Sequence, residues 1–455
     1  MSGPHVESTG PTARYRRLAR RAQADGRVPA LSAALYRVDR PLWTDEVGCE
    51  PGTLFRIGSV TKSFTAVLVL QCRDDGLLDL DDPVSAHVSV PAHGELPIRR
   101  LLSHTSGLQR EPYGDVWDTL AAPDAATLLA DLARVRRVLP PARRYHYSNL
   151  GYALLGQVVA ARRGAPWAEV LRERILAPLG LDSVTVTPGL AAATGYLVDA
   201  YSDHAVPEPP TDFGAVAPAA QLWGTAADLA RWAAFLADPA RLDPAGAVLA
   251  PATLNEMRWP LTVTDETLWG TGFGLGLIVM PQGERRVHVG HDGAMPGFLA
   301  GVYGRRGADA PPACGAAVLG SSGTALEILD LPHALLRAAA EHDPPDIEPW
   351  RPGPPAPPEF VSVLGRWWGE GLEYVFSWRD GALRARGAAD PPSRPPAVFE
   401  VLGPDLLGTV SGREAGEELR LTRDPGTGAV VGMHWATYRF TRDQQTFESR
   451  PASTG

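Results

Sequence analysis

The chain has 455 residues, of which 44% are hydrophobic and 21% are charged, a composition typical of folded globular proteins. Its formal net charge of -9 argues against nucleic acid as the main partner. Its three cysteines, Cys49, Cys72 and Cys314, lie far apart without metal-ligand spacing, so we expect reduced thiols, no disulfide, and neither a metal nor another cofactor.

The N-terminal segment contains several arginines but no apolar stretch followed by a cleavage pattern, so it does not match a secretory signal. The sequence also lacks a run of about 18 consecutive apolar residues, the usual signature of a membrane-spanning helix. We therefore expect no export, no membrane partner and a cytoplasmic location.

A helix is predicted to open at Ser59 and to close near Gly76, because apolar residues recur at helical spacing between them. Lys62 lies three residues after Ser59 and therefore on the same helical face. It is the only lysine among the 43 lysines and arginines of the chain. A buried lysine can lose its proton and act as a base, whereas an arginine stays charged. A helix N-cap followed by an exposed lysine remains the alternative interpretation.

Two further short motifs follow along the chain. Tyr147-Ser148-Asn149 precedes a helical pattern over residues 151–164, and Asn149 is one of two asparagines in the sequence. A Tyr hydroxyl can relay a proton, and an Asn amide can orient a base, although a loop with a helix cap has the same pattern. His291-Asp292-Gly293 is predicted at a strand edge, where His291 and Gly293 share one face and the glycine lets a ligand approach the backbone. A structural histidine is the alternative there.

The segment Asp343–Glu359 holds eight prolines in 17 residues and is predicted to be a stiff linker. We therefore predict an α+β catalytic domain at 1–342, the linker at 343–359, and a small all-β barrel or sandwich at 360–455. Alternating patterns predict strands in the second domain at Leu372–Trp378, Ala382–Gly387, Leu419–Arg423 and Thr437–Arg442.

The three motifs occur in the order S-x-x-K, Y-x-N and K/H-x-G and resemble those of the serine β-lactamase and penicillin-binding-protein superfamily. Residues 54–58, which lead into the first motif, also agree with the superfamily, and residues 102–108 resemble a segment common in its class-C-like members. The resemblance covers roughly residues 25–340. It implies the superfamily's α+β fold, with the active site between an all-α region and a sheet.

The resemblance also implies a role for each motif residue. Ser59 would be the nucleophile, Lys62 the base, Tyr147 the proton relay and Asn149 a positioning group. His291 would take the catalytic position that usually holds lysine.

The oxyanion hole would be formed by the backbone N–H groups of Ser59 and Ala294. The chain departs from the family pattern at His291, and at Asp292, where Thr or Ser is usual. Because this position normally helps to hold a substrate carboxylate, both departures argue against a drug-hydrolysing β-lactamase.

Within the superfamily, the missing export signal and the C-terminal β domain resemble the penicillin-binding-protein-type thioesterases of nonribosomal peptide pathways, which have a lipocalin-like C-terminal domain. This resemblance implies that a peptidyl thioester, bound to a peptidyl carrier domain of a nonribosomal peptide synthetase, is transferred to Ser59. The peptide's own amine would then close the ring head to tail. Candidate substrate-binding residues are Trp223, Gly224, Gly293, Arg439 and Arg442.

Other functions remain open at this point. A cytoplasmic esterase or a D-amino-acid amidase or peptidase would use the same residues on other acyl groups. A binding or sensor protein that is acylated and never deacylated is a further alternative. An α/β-hydrolase is excluded because the sequence has no G-x-S-x-G motif, and a metalloenzyme because its 11 histidines form no ligand cluster.

Overall fold

The computed structural model describes residues 10–142, 144–283, 286–307, 313–347, 349–392, 394–412 and 414–444. These residues divide into two units between Asp346 and Ile347, a point that lies within the proline-rich segment 343–359. The first unit combines helices with a sheet, and the second is a closed barrel, so the predicted α+β and all-β architecture is confirmed. Positions 1–9 and 445–455 of the two predicted domains lie outside the described residues.

The first unit is built around an eight-stranded sheet with the order β2-β1-β12-β11-β10-β9-β8-β7, and the small pairs β3–β6 and β4–β5 lie apart from it. All of the described strand pairs are antiparallel. The strands are β1 Leu31–Arg37, β2 Trp43–Val47, β3 Phe55–Arg56, β4 Tyr196–Val198, β5 Ala205–Pro207, β6 Trp223–Gly224, β7 Thr262–Val263, β8 Gly272–Phe273, β9 Ile278–Pro281, β10 Val287–Met295, β11 Phe298–Arg306 and β12 Cys314–Gly320.

Helices pack against both faces of this sheet, which is why its central strands are almost continuously apolar and buried. None of the helices in the described ranges is both long enough and apolar enough to span a bilayer. The helices of this unit are α1 Pro11–Asp25, α2 Thr61–Asp74, α3 Ile98–Leu102, α4 Val116–Thr119, α5 Ala125–Ala130, α6 Asn149–Arg163, α7 Trp167–Leu171, α8 Ala177–Leu179, α9 Ala217–Ala220, α10 Ala226–Ala237, α11 Pro239–Leu242, α12 Pro251–Met257 and α13 Leu331–His342.

Helix α2 forms the centre of the helical region. Every residue from Thr61 to Cys72 is buried, so the helix is packed on all sides. The sequence predicted its start at Ser59, but Gly58–Val60 form a 3-10 turn and the α-helix begins at Thr61. Gly58 adopts a φ of 51°, a conformation that favours glycine, and this sharp turn explains the later start.

Helix α6 lies unusually close to α9. A Cβ atom added at Gly156 would lie 2.1 Å from the Pro218 side chain, so only a glycine permits this approach. Both helices also contact α2, and their close packing brings the backbone of α9 against the first turn of α2.

The second unit begins with the short helix α14 Pro358–Val361 and continues as an eight-stranded closed barrel in sequential order. Aromatic and aliphatic side chains alternate into its core, which includes the fully buried Trp367. The four predicted strand segments coincide with β14, β15, β18 and β20. The strands are β13 Gly365–Gly369, β14 Leu372–Arg379, β15 Ala382–Gly387, β16 Ala397–Gly403, β17 Leu406–Ser411, β18 Glu418–Arg423, β19 Val430–Trp435 and β20 Tyr438–Thr441.

The contact between α6 and α9 predicts different outcomes for two substitutions on one helix. Gly156→Ala should lower the free energy of unfolding by about 1–3 kcal/mol, because the new methyl group collides with Pro218. Gly151→Ala meets only ordinary contacts, the nearest at 3.6 Å, and should be neutral or stabilising by up to about 1 kcal/mol. Chemical denaturation measures both, and equal effects of the two substitutions would contradict this packing.

Candidate active site

The two residues of the first motif lie in direct contact. Lys62, on the first turn of α2, has its Nζ 2.9 Å from the Ser59 hydroxyl oxygen, 2.6 Å from Asn149 Oδ1 and 2.9 Å from the Ala219 carbonyl oxygen. Lys62 is 0% exposed, whereas Ser59 is half-buried and remains accessible from solvent. Three separate elements, α2, α6 and α9, therefore meet at one amine.

Burial holds the pKa of Lys62 well below its ordinary value. Glu111 raises this pKa and Arg110 lowers it, both by smaller amounts than burial. A neutral amine has two N–H donors, which Asn149 Oδ1 and the Ala219 carbonyl can accept, and a lone pair that is left for the Ser59 hydroxyl proton. This arrangement is suited to removing the proton of Ser59.

Tyr147 lies two residues before α6, with its hydroxyl interacting with Ser59 and its ring centroid 4.7 Å from Lys62 Nζ. Burial raises the pKa of Tyr147 above its ordinary value, and the interaction with Ser59 opposes that shift. The phenol therefore stays protonated and can pass a proton to or from a group held at Ser59.

The amide of Asn149 is held on both sides. Its Oδ1 accepts from Lys62, and its Nδ2 donates to Glu111 Oε1 at 2.7 Å. Ser148 caps α6 by accepting from the Gly151 N–H at 3.0 Å, which fixes the start of the helix. The orientation of the Asn149 amide thus follows from its two partners.

His104 was missed as a functional candidate, although it lies in the 102–108 segment that resembles class-C-like members. Its Nδ1 accepts from the Ser148 N–H at 3.1 Å, and its ring centroid lies 4.3 Å from that of Tyr147. Burial lowers the pKa of His104 well below its usual range, so the ring is neutral. His104 supports the segment that places Tyr147.

The backbone of Ser59 contacts the edge of β10 closely. A Cβ atom added at Gly293 would lie 2.0 Å from the Ile57 carbonyl, and one added at Gly58 would lie 2.9 Å from the Ala294 nitrogen. The pairing of β9 with β10 covers only Val287–Gly290, so the edge beyond it faces this turn. An added Gly293 Cβ atom would also lie 3.2 Å from the Ser59 nitrogen, so the two N–H groups predicted for the oxyanion hole, those of Ser59 and Ala294, both lie at this contact.

His291 is 2% exposed and follows the part of β10 that is paired with β9. Burial lowers its pKa to about 3, and its Nδ1–H donates to the Asp292 carbonyl at 2.5 Å, so the ring is neutral. Its Nε2 has no hydrogen-bond partner among the described residues. A neutral imidazole cannot hold a substrate carboxylate by charge, as the usual lysine can. Asp292 is partly buried, and the desolvation of its carboxyl raises the pKa to about 6.

Two predicted substrate-binding residues lie in β6. Trp223 is 7% exposed and its ring packs edge-on against Phe298 at 5.3 Å, as expected for a core residue, and its place in the acyl pocket stays a prediction. Gly224 is buried and pairs with Phe55 of β3. Neither residue has a described contact with Ser59.

The two candidate arginines lie in the second unit and differ from each other. Arg442 stacks over Trp367 at 3.9 Å and donates to the backbone carbonyls of Leu364 and Arg366, contacts that hold the barrel together, and its role in substrate binding stays a prediction. Arg439 on β20 is exposed and stays a substrate-binding candidate.

Comparisons with known proteins cover both units. A family model described as Beta-lactamase matches residues 15–324, and one described as a domain of unknown function, DUF7586, matches residues 356–442. Penicillin-binding protein 4 of Amycolatopsis lactamdurans is 32% identical over 54% of this chain and 67% of its own length. Beta-lactamase-like protein 2 of Dictyostelium discoideum is 29% identical over 56% of this chain, and the matched part spans 50% of that protein's length.

Among solved structures, SurE is 26% identical with a TM-score of 0.61, and the match covers 95% of this chain and 99% of that one. A structure of SurE with D-Leu also matches, at 25% identity and a TM-score of 0.55 over 95% of this chain and 99% of that one. The D-amino acid amidase from Ochrobactrum anthropi SV3, complexed with D-phenylalanine, is 23% identical with a TM-score of 0.59 over 73% of this chain and 99% of that one. At that identity the amidase shares the fold alone. The resemblance to the β-lactamase and penicillin-binding-protein superfamily is confirmed.

The low pKa of Lys62 has a measurable effect on stability. In the unfolded chain this lysine titrates near 10.4 (about the free value), whereas the folded protein keeps it neutral to much lower pH. Below about pH 10 the unfolded state therefore binds one more proton than the folded state. As the pH is lowered from there, the free energy of unfolding falls by up to about 1.4 kcal/mol per pH unit. Lys62→Met should remove this slope. Denaturation of both proteins between about pH 7 and 9.5 tests it, and parallel curves would mean that Lys62 stays charged.

Proposed function

This chain belongs to the Beta-lactamase family, and on that premise we propose that it is a serine acyltransferase that forms an acyl-enzyme on Ser59. The observation that carries the proposal is the fully buried Lys62 with its Nζ 2.9 Å from the Ser59 hydroxyl oxygen. A desolvated lysine in hydrogen-bond contact with an accessible serine is a base paired with its nucleophile.

Acylation begins when Lys62 Nζ takes the Ser59 proton as Oγ attacks the carbonyl carbon of the acyl donor. The carbonyl π electrons move to oxygen, and the N–H groups of Ser59 and Ala294 stabilise that oxyanion. When the intermediate collapses, the carbon–sulfur bond of a thioester breaks. The leaving thiolate takes a proton from Tyr147, which is replenished from the Lys62 ammonium. The products of this step are a thiol and an ester on Ser59.

Deacylation reverses these roles with an amine as the nucleophile. The amine nitrogen attacks the ester carbon and gives up a proton through Tyr147 to Lys62. The bond from the carbon to Ser59 Oγ then breaks, and Oγ regains its proton from Lys62. An amide leaves the enzyme, and the starting protonation states are restored. When the amine belongs to the acyl chain itself, the product is a ring, because attack within one bound molecule is strongly favoured over attack by a second.

We further propose that the natural donor is a peptidyl thioester on a peptidyl carrier domain of a nonribosomal peptide synthetase, and that release is head-to-tail macrocyclisation in the cytoplasm. The likeness to SurE supports this proposal because it extends over 95% of the chain, and so includes the barrel as well as the catalytic unit. The structure of SurE with D-Leu points to a D-configured residue at the thioester end. The neutral His291 suits a donor that has no carboxylate beside the reacting carbonyl.

A second candidate function is hydrolysis of D-amino-acid amides or small esters by the same residues. It is favoured by the fold shared with D-amino acid amidase over 73% of this chain. The two candidates differ only in the acyl group and in whether water or an amine accepts it.

Substitutions at the first motif test the acyl-transfer proposal. Ser59→Ala should abolish turnover of a peptidyl thioester, and Lys62→Arg should lower the rate about as much as Lys62→Ala, by about 1,000-fold or more. Arginine keeps the charge but cannot accept the Ser59 proton. Release of the free thiol gives the rate. A Lys62→Arg variant with wild-type activity would show that Lys62 contributes only charge.

A peptide thioester with a D-residue at its C-terminal end tests the cyclase proposal. The expected product is the head-to-tail ring, which has the mass of the hydrolysed peptide minus one water. Mass spectrometry distinguishes the two. Hydrolysis alone across several peptides would favour the amidase or esterase function, and a stable acyl-Ser59 without any product would favour the sensor alternative.

A further inference from the structure

The residues Arg110 and Glu111 place two opposite charges beside the catalytic cluster. The guanidinium of Arg110 lies 4.8 Å from the ring centroid of Tyr147, and Glu111 accepts from the Asn149 amide at 2.7 Å. The Arg110 side chain is 62% exposed and that of Glu111 22% exposed. Glu111 therefore touches the buried cluster with one oxygen and still reaches solvent.

The backbone that presents Glu111 is fixed from several sides. The Asn149 N–H donates to the Arg110 carbonyl at 2.7 Å, and the Gln109 side chain donates to the Glu111 carbonyl at 3.0 Å. The Ser148 hydroxyl donates to the Gln109 carbonyl at 2.8 Å. Glu111 is thus held by the same segment that starts α6, and its position does not depend on a mobile loop tip.

The charges around the site differ from those of a site whose third motif carries a charged lysine. Burial lowers the pKa of both Lys62 and His291 and so disfavours a positive charge on either side chain. Glu111 is the carboxylate that acts electrostatically on Lys62. Its ion pair with Arg110 at 3.4 Å involves a largely exposed guanidinium, and exposed pairs contribute little. Compared with a site that has a charged lysine in the third motif, this one disfavours substrate anions and favours cations.

We propose that Glu111 binds a primary ammonium group of the acyl donor. For a peptidyl thioester that group is the free N-terminal amine in its protonated form. The carboxylate would hold the end of the chain that attacks the ester after the ammonium has lost one proton to solvent. Glu111 Oε1 is occupied by Asn149, and among the described residues no hydrogen bond is assigned to Oε2, which is the oxygen that receives the ammonium. This inference rests on the proposed acylation of Ser59.

The test compares two peptide thioesters that differ only at the N-terminus, one with a free amine and one acetylated. The readout is kcat/KM for thiol release during acylation of Ser59, which needs no ring closure. At about pH 7 an α-amine is mostly protonated. We expect the wild type to prefer the free amine by about 10-fold, the size of one charge-assisted hydrogen bond. The preference should vanish at about pH 9.5, where the amine is neutral.

Glu111→Gln removes the charge but keeps an oxygen that can accept from Asn149. In this variant the ratio of kcat/KM for the free amine to kcat/KM for the acetylated peptide should fall to about 1, whatever the absolute rates are. Glu173→Gln is the matched control, since Glu173 is an exposed acid on the surface of the same unit. It should keep the wild-type rates and preference.

Three results would overturn the inference. A wild type without preference would show that no ammonium is recognised. A Glu111→Gln variant that slows both substrates equally and keeps the preference would show that Glu111 only positions Asn149. If neither substrate acylates Ser59, the proposed acyl transfer itself fails, and a failure of that kind is distinct from the first two.

Discussion

The removal of the Lys62 amine from water is the constraint on which the rest of the site depends. A lysine that is 0% exposed could not remain in the fold without polar partners, and Asn149 and the Ala219 carbonyl provide them. Because those partners come from α6 and α9, both helices must approach α2 closely. The glycine at position 156 permits this approach. The chemistry of one amine thus constrains the packing of three helices.

The same constraint organises the charges of the site. A neutral lysine can accept the Ser59 proton, and a neutral His291 leaves the third motif without its usual positive charge. Glu111 and Arg110 at the surface then become the charges that a substrate meets. Glu111 then provides the negative charge at which a substrate amine is proposed to bind, which agrees with amide formation as the proposed outcome.

The sequence predicted the parts that depend on local pattern. The motif residues Ser59, Lys62 and Asn149 do meet, and the strands of the barrel follow their alternating patterns. It could not place side chains whose surroundings depend on long-range packing. Trp223 lies in the core, and Arg442 is held by backbone carbonyls of its own barrel. Neither placement leaves a local signal in the sequence. The same holds for the contact between Glu111 and Asn149, because these two residues are 38 positions apart in the chain.

The most direct test uses the fact that Lys62 is the only lysine of the chain. Labelling with lysine enriched in ¹³C at the ε carbon therefore gives one side-chain NMR signal, which can be followed through a pH titration of the folded protein without assignment. The burial of the Lys62 amine predicts a titration midpoint well below the free value of about 10.4. A midpoint at or above that value would contradict the assignment of Lys62 as the base that activates Ser59.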